Sequence, residues 1–588
     1  MTSRCRDALG TLPSAALCAA AVACAAAVAL GNASGRLSPG VARWSLAAGV
    51  VAGGALLAWS AWRGGGRRAL AAAPGVWGAA VLVAFALFAL RSFLWLAVDS
   101  GRSLVVANAY NHGDLSLHLA IIAHLASGAA FWPEHILIEM PKLAYPLGAN
   151  LLNALLALAG MDVLRSLLWV GLASAAATGF ALWRWGGAFA MATFLAVGGL
   201  QGVALAADWR LDDAMAGSAW KSLPLALFVT QRGLLMAIPA GLLLLHSWRA
   251  RARSANRVRP LPGFAELTLY ATLPLFHLHS FLFLSLALAT LFLAAPRPAR
   301  LHFLGLTAAS AAPAALLVLQ VVDLDHQPGA VAWQPGWMQG DENPLVFWSW
   351  NFGLWLPALA LAPALALAAA LRTRRGVPRP RVELALSDLA LLVFALCCCF
   401  RFAPWAWDNT KLMLWSFLAA APAIWQLVIR PLRTPLRVAS CCLLFASGAL
   451  ALAGGLQPLP QPNAIISRLE LDHTARLLAD LPHDARLAAA PEWNHPAVLL
   501  GHKLALGYEG HLWSHGYDCT RQRAALDALM RGQADWRRHA GLLGATHIFW
   551  GAREQAEFGP GRKFWFPEVS AIASDPEHGV VYRINPPR

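Results

Sequence analysis

Charge is what this sequence has least of. Of its 588 residues only 13% are Asp, Glu, Lys or Arg, whereas 58% are hydrophobic and the mean hydropathy is +0.53. A water-soluble chain of this length could not carry that balance, so lipid is the solvent for most of it. Glycine-rich nucleotide fingerprints of the Rossmann or Walker kind are missing as well, which fits chemistry that needs no nucleotide. The nine cysteines give no disulfide framework, because Cys397, Cys398, Cys399, Cys441 and Cys442 lie inside apolar runs and Cys519 stands alone near the C-terminus. They show no metal-ligand spacing either. There is no internal repeat of the sort that secondary transporters carry.

Long apolar runs are abundant. They fall near 12–31, 41–62, 70–98, 163–183, 187–206, 223–248, 301–322, 345–371, 384–402, 411–429 and 436–456, each about the length that crosses a ~30 Å hydrocarbon layer as a helix. The first resembles a signal peptide behind Arg4 and Arg6, but a second run follows at once, so it is read as a retained span. A net charge of +15 would suggest nucleic acid in a soluble protein. Here the arginines sit in short clusters between spans, which is the positive-inside pattern, and no nucleic-acid partner is expected.

Five clusters must share one side: Arg63 to Arg68, Arg249 to Arg259, Arg297 with Arg300, Arg372 to Arg381, and Arg430 to Arg437. That parity decides two ambiguous stretches. Residues 146–160 become a short interfacial helix, and residues 264–295 become two short helices turning at His277-Leu278-His279. About thirteen spans result, with the N-terminus cytoplasmic and the C-terminus outside a bacterial inner membrane. Residues 1–62 form two N-terminal spans, 63–456 the remaining membrane core and 457–588 a small soluble domain. In that domain RLLADL, RLAAAP, LALGYEG and THIFWG read as strands alternating with helices in an α/β unit. Of the 31 acidic residues, 14 fall in it and 13 more in segments assigned to the outer face.

The large outer loop at 99–147 holds the densest chemistry. Asp114 opens an apolar segment containing His118 and His124, so a carboxylate stands in the first turn of a helix whose dipole favours its ionised form. It could cap that helix or act as general base on a hydroxyl. Glu134 and Glu139 are secondary acids, and the six-residue spacing of His112, His118 and His124 does not set them on one helix face as metal ligands. Asp208, Asp212 and Asp213 in a second outer loop could hold a divalent cation, orient a sugar, or simply be solvated. Gln231 and Arg232 lie inside an apolar span, where a guanidinium needs either a phosphate or an acid on a neighbouring helix. Arg401, Asp408 and Lys411, set among Trp405, Trp407 and Asn409, place cations at headgroup depth, suited to an anionic lipid or lipid-linked phosphate or to snorkelling anchors. His277 and His279 could hold a turn or line a headgroup site.

Together these segments resemble the GT-C superfamily of membrane glycosyltransferases, in particular bacterial relatives of the protein O-mannosyltransferase and lipid A aminoarabinose transferase type. The resemblance rests on Asp114 in NHGDLSLHL, on Tyr145 in LAYPLGANLLNALLALAG leading into an interfacial helix, and on the hairpin LPLFHLHSFL, and it covers about residues 99–456. It implies a GT-C-like helical fold and transfer of a sugar from a polyprenyl phosphate donor to a glycan, lipid or protein acceptor. Asp114 would be the base, with Arg232, Arg401 and Lys411 near the donor phosphate. Where the superfamily often has an acidic pair, Asp114 stands between Gly113 and Leu115, which leaves a divalent cation as an open cofactor. The contrasting expectation is a transporter, flippase or binding protein for lipid-linked intermediates.

Overall fold

The computed structural model describes residues 11–63, 75–108, 111–202, 218–253, 261–323, 331–372, 381–458, 463–561 and 563–585. Among these, ten helices are long and apolar enough to cross a membrane, and the chain is a multi-pass membrane protein. Helices Leu12–Ser34 and Pro39–Trp62 open the bundle as a pair. Ser38 caps the second by accepting from the Val41 amide, and Gly35 takes the left-handed φ of 72° that the tight connection demands. Their backbones nearly touch: a methyl group on Gly49 would come within 2.4 Å of the Ala19 carbonyl. Small residues here do what apolar bulk cannot do in lipid.

Several spans are interrupted. Helix Val163–Ala196 runs 34 residues but is broken at Gly186 and Gly187, which matches the division expected between the runs at 163–183 and 187–206. Arg249 covers the break, donating to the Trp185 carbonyl at 2.7 Å and stacking 4.0 Å from the Trp185 ring. The stretch expected to cross as one helix over 345–371 is instead two, Pro344–Phe352 and Trp355–Arg372, because Gly353 adopts φ 51° and ψ −129°. Only the second is long enough to span.

The hairpin expectation holds. Helices Gly263–Ala271 and Leu273–Phe276 lead to His277, whose extended backbone (φ −162°) ends one arm before Leu278–Ala294 begins the other. Tyr270 and Ser285 hydrogen bond at 2.8 Å, which fifteen residues of straight helix would forbid. Residues 146–160 likewise contain only the short helix Gly148–Leu158.

The last helix, Thr434–Gly455, precedes a five-stranded sheet ordered Lys503–Leu504, Arg486–Ala488, His547–Trp550, Gly579–Ile584 and Val569–Asp575. The first three strands are parallel, and Gly579–Ile584 pairs antiparallel with both of its neighbours. RLAAAP and THIFWG supply strands as expected, and LALGYEG only its first residue, Leu504. RLLADL does not: it lies at the end of helix Arg468–Leu477, whose Thr474 and Leu477 recur at helical spacing on the buried side.

The C-terminal part is sewn to the 99–147 loop, in part through a separate three-stranded sheet. Strand Ser103–Val106 pairs with Asn463–Ser467, and Arg468 bridges to Asp99 at 2.6 Å. Loop residues 136–138 line the open edge of the sheet, with the Leu504 amide donating to the Ile136 carbonyl and the Gly507 amide to that of Leu137. Arg486, 4% exposed, donates to the carbonyls of His135, Ile138 and Leu504.

Candidate active site

Helix His112–Ala126 carries Asp114 in its first turn, half-buried rather than sealed in the core. Gln231, the residue before helix Arg232–Ala252, points its amide Nε2 at Asp114 Oδ2 across 3.5 Å, a long contact. Tyr145 lies close enough to both Asp114 and Asp408 to feel their charge. Its ring meets that of His118 at 6.3 Å and that of His515 at 5.1 Å.

The 400–411 segment forms the facing wall. Asn409 folds it, accepting from the Phe402 amide and donating to the Cys397 and Phe400 carbonyls. Lys411 then pairs with Asp408 at 2.9 Å. His279 reaches the Phe402 backbone and lies within the fields of Lys411 and Asp408. His277 caps its helix through Nδ1, to which the Ser280 amide donates, as the structural alternative for this residue anticipated. The Nε2 atoms of His277 and His279 are buried without a partner among the described residues. Arg401 is half-buried in the short strand Phe400–Arg401 that pairs with Ala332–Trp333.

Arg232 differs from the other cations. It is 1% exposed, and none of its three guanidinium nitrogens has a hydrogen-bond partner among the described residues. Its neighbour is His118, one turn along from Asp114. Gly233 explains how the segment packs so tightly: a methyl there would fall 2.0 Å from the Phe276 carbonyl.

The cluster therefore brings together Asp114, Tyr145, Gln231, Arg232, His277, His279, Asp408 and Lys411, drawn from four separate stretches. Glu134 lies elsewhere. It pairs with Lys503 at 2.8 Å and Arg486 at 3.1 Å, beside His124 and so about 15 Å along the helix axis from Asp114. Asp208, Asp212 and Asp213 fall outside the described residues. His118 and His124 face different partners, Asn150 and the Gly501 carbonyl. Among the described residues, only His473, Asp575 and His578 bring three potential ligands within reach of one ion. Their two rings stack at 3.7 Å with planes 16° apart, so their in-plane lone pairs do not converge.

Two site residues come from the C-terminal part. Helix Glu509–Ser514 sets His511 against the Gly113 carbonyl and His515 against Tyr145. Burial pushes both imidazoles down to about 4, with nearby cationic groups adding to the effect at His515, so both are neutral at pH 7. The sequence signal was the His-x-x-x-His spacing in EGHLWSH, one helical turn apart.

At its other end, about 30 Å along helix Arg232–Ala252, a second polar cluster closes the bundle. Buried Glu266 accepts from Ser247, Arg251 and His302, and Arg253 pairs with Glu383.

Fold and site define a multi-pass helical membrane protein whose polar cluster is packed against by its own C-terminal domain. Similar solved chains are oligosaccharyltransferases of Archaeoglobus fulgidus. The apo form shares 11% identity over 81% of this chain and 69% of that one, with a TM-score of 0.46. The archaeal oligosaccharyltransferase AglB in complex with an inhibitory peptide and a dolichol-phosphate shares 12% over the same proportions, with a TM-score of 0.37. The complex with Zn and sulfate shares 11% over 80% and 68%, with a TM-score of 0.38. No family model and no curated protein matches the sequence.

Proposed function

We propose that this protein is a membrane glycosyltransferase of the GT-C kind that moves a sugar from a polyprenyl phosphate donor to an acceptor hydroxyl, inverting the anomeric centre. The observation that carries the reading is the opposite use of two consecutive residues. Gln231 turns to the carboxylate of Asp114, whereas Arg232 is buried with no hydrogen-bonding or anionic partner among the described residues. A lone guanidinium in a lipid-embedded core is costly, and a phosphate oxygen pair is the ligand its planar fork suits. The residue that meets the proposed base and the residue that would seat the anion are thus consecutive in the chain.

The chemistry follows from that pairing. The acceptor oxygen attacks the anomeric carbon while its proton passes to Asp114. The bond from that carbon to the phosphate oxygen breaks, and its electron pair leaves with the phosphate against Arg232. Lys411, held by Asp408, and His279 line the same opening and supply hydrogen bonds to sugar or phosphate oxygens. Because the site and the Arg249 to Arg253 end of the bundle are at opposite ends of one helix, the positive-inside rule assigns the cleft and the C-terminal domain to the periplasmic face of an inner membrane.

The test is an Asp114→Asn variant expressed in a deletion strain. It should reach the membrane at the parental level and fail to restore the missing glycoconjugate. Full restoration would remove Asp114 as base.

A further inference from the structure

The two histidines of the hairpin turn are held as opposite tautomers. At His277, Nδ1 takes the Ser280 amide hydrogen at 3.1 Å, and the Ser280 hydroxyl lies 2.8 Å from the same atom while itself accepting from the Trp415 indole. A ring nitrogen that accepts from a backbone N–H carries no proton of its own, so the proton of His277 is on Nε2. At His279 the fixed contact is with the Phe402 backbone. The Phe402 amide is already given to Asn409 Oδ1, so the ring donates to the carbonyl, and it does so through Nδ1 because Nε2 has no partner. Nε2 of His279 is therefore a bare lone pair. A second proton on either ring would stand beside the Lys411 ammonium, and Asp408, the acid within reach, is taken by that lysine.

A donor and an acceptor thus stand side by side, both nitrogens buried and both without a hydrogen-bond partner among the described residues. The ring centres are 5.6 Å apart, a separation that one oxygen at ordinary hydrogen-bond length from each nitrogen can bridge. Buried polar atoms left in this state are costly, and two neighbours of opposite kind define what satisfies them. The phosphate diester of a lipid-linked donor has acceptors only, so it can meet His277 but never the Nε2 lone pair of His279. A hydroxyl meets both, accepting from one ring and donating to the other. The position suits a sugar joined to that phosphate: a methyl on Gly233, next to Arg232, would lie 3.7 Å from His277 Cβ, and Lys411 acts on both rings.

We infer that His277 and His279 together read one hydroxyl of the transferred sugar and so set which lipid-linked donor is accepted. This inference rests on the transferase reading of the Asp114 site and adds a specificity determinant to it.

Asparagine separates this role from a structural one, since its amide reaches the Nδ1 position of histidine and leaves the Nε2 position empty, whereas glutamine reaches the Nε2 position. His277→Asn keeps a cap for the Ser280 amide, and His279→Asn keeps a donor for the Phe402 carbonyl. Full-length protein in detergent is titrated with undecaprenyl phosphate and with undecaprenyl phosphate carrying glucose, mannose, galactose or arabinose. Wild type should bind one of the sugar-bearing lipids about tenfold or more tightly than the bare lipid, the worth of two buried hydrogen bonds. Both Asn variants should lose that preference, bind the bare lipid as wild type does and melt at the wild-type temperature, while His279→Gln should keep most of it. Absence of any preference in wild type, its survival in the Asn variants, its loss in His279→Gln, or a lowered melting temperature in the Asn variants would overturn the hydroxyl assignment. In each of these cases the transferase reading stands as long as Arg232→Met loses the bare lipid. If Arg232→Met binds undecaprenyl phosphate as wild type does, the phosphate seat itself falls and this inference falls with it.

Discussion

Gln231 Nε2 stands 3.5 Å from Asp114 Oδ2, joining the first turn of the loop helix to the N-terminus of a span 117 residues further on. The amide can hold the carboxylate's orientation without neutralising it. Replacing Gln231 with Ala should therefore lower transfer by about ten- to a hundredfold and leave expression intact, whereas Asp114→Asn should cost about a hundredfold or more. A membrane assay that follows loss of the lipid-linked donor separates the two. Equal effects from both variants would mean that Gln231 does more than orient.

Arg232 allows a test in which function and stability move in opposite directions. An isolated buried charge disfavours the folded state, so Arg232→Met should abolish transfer while leaving the detergent-solubilised protein as stable as the parent, or up to about 2 kcal/mol more stable. Thermal unfolding followed by tryptophan fluorescence provides the reading. Marked destabilisation would show that Arg232 has a structural partner and would remove it as the phosphate seat.

Much of this arrangement was legible in the residues. The charge parity that forced a turn at His277 works because arginine clusters are expensive to move across lipid, and the Tyr270–Ser285 hydrogen bond is the outcome. The break at Gly186 and Gly187 was visible as a gap between apolar runs. Gly353 was not, since a glycine inside a hydrophobic stretch gives no sign of whether its backbone will leave the helix. Strands Val569–Asp575 and Gly579–Ile584 escaped notice because the first is largely exposed and lacks a clear alternation. His511 and His515 were missed for another reason: their His-x-x-x-His spacing marks a shared helix face, but their contacts with Gly113 and Tyr145 depend on docking of the C-terminal domain.

That docking has an identifiable clamp in Glu134. Removing its carboxylate leaves Arg486 and Lys503, 4% and 5% exposed, without their anion. Glu134 itself is half exposed, so solvent screens part of the pairing, and Glu134→Gln should cost about 1–2 kcal/mol. Hydrogen exchange should then rise at residues 134–138 and 503–507 together. Adding Lys503→Met to the variant should recover part of the loss, because one of the two stranded charges is gone. An unaltered exchange pattern would show that the backbone pairing alone holds the domain.

The same interface carries an acid sensitivity whose sign can be worked out. Burial pulls His135 down to about 3 and His502, His511 and His515 to about 4, against 6.5 for a free side chain, and lowers His124 as well. Below pH 6.5 the undocked state binds more protons than the docked one, so the contribution of these groups is complete above that pH and is lost progressively as pH falls toward 4. Glu134, held below the usual carboxylate range by the bridges to Lys503 and Arg486 that outweigh its burial, adds a loss of the same sign below about pH 4.5. The melting temperature of the purified protein should therefore drop by about 5–10 °C between pH 7.5 and pH 4.5, with exchange at residues 134–138 and 503–515 rising before that of the helical bundle. His511→Gln and His515→Gln should flatten this slope, since a neutral amide has no proton to gain. A melting temperature constant over that interval would mean that the imidazoles are protonated where they stand, and the cleft would then present cations, not neutral hydrogen-bonding rings, to its acceptor.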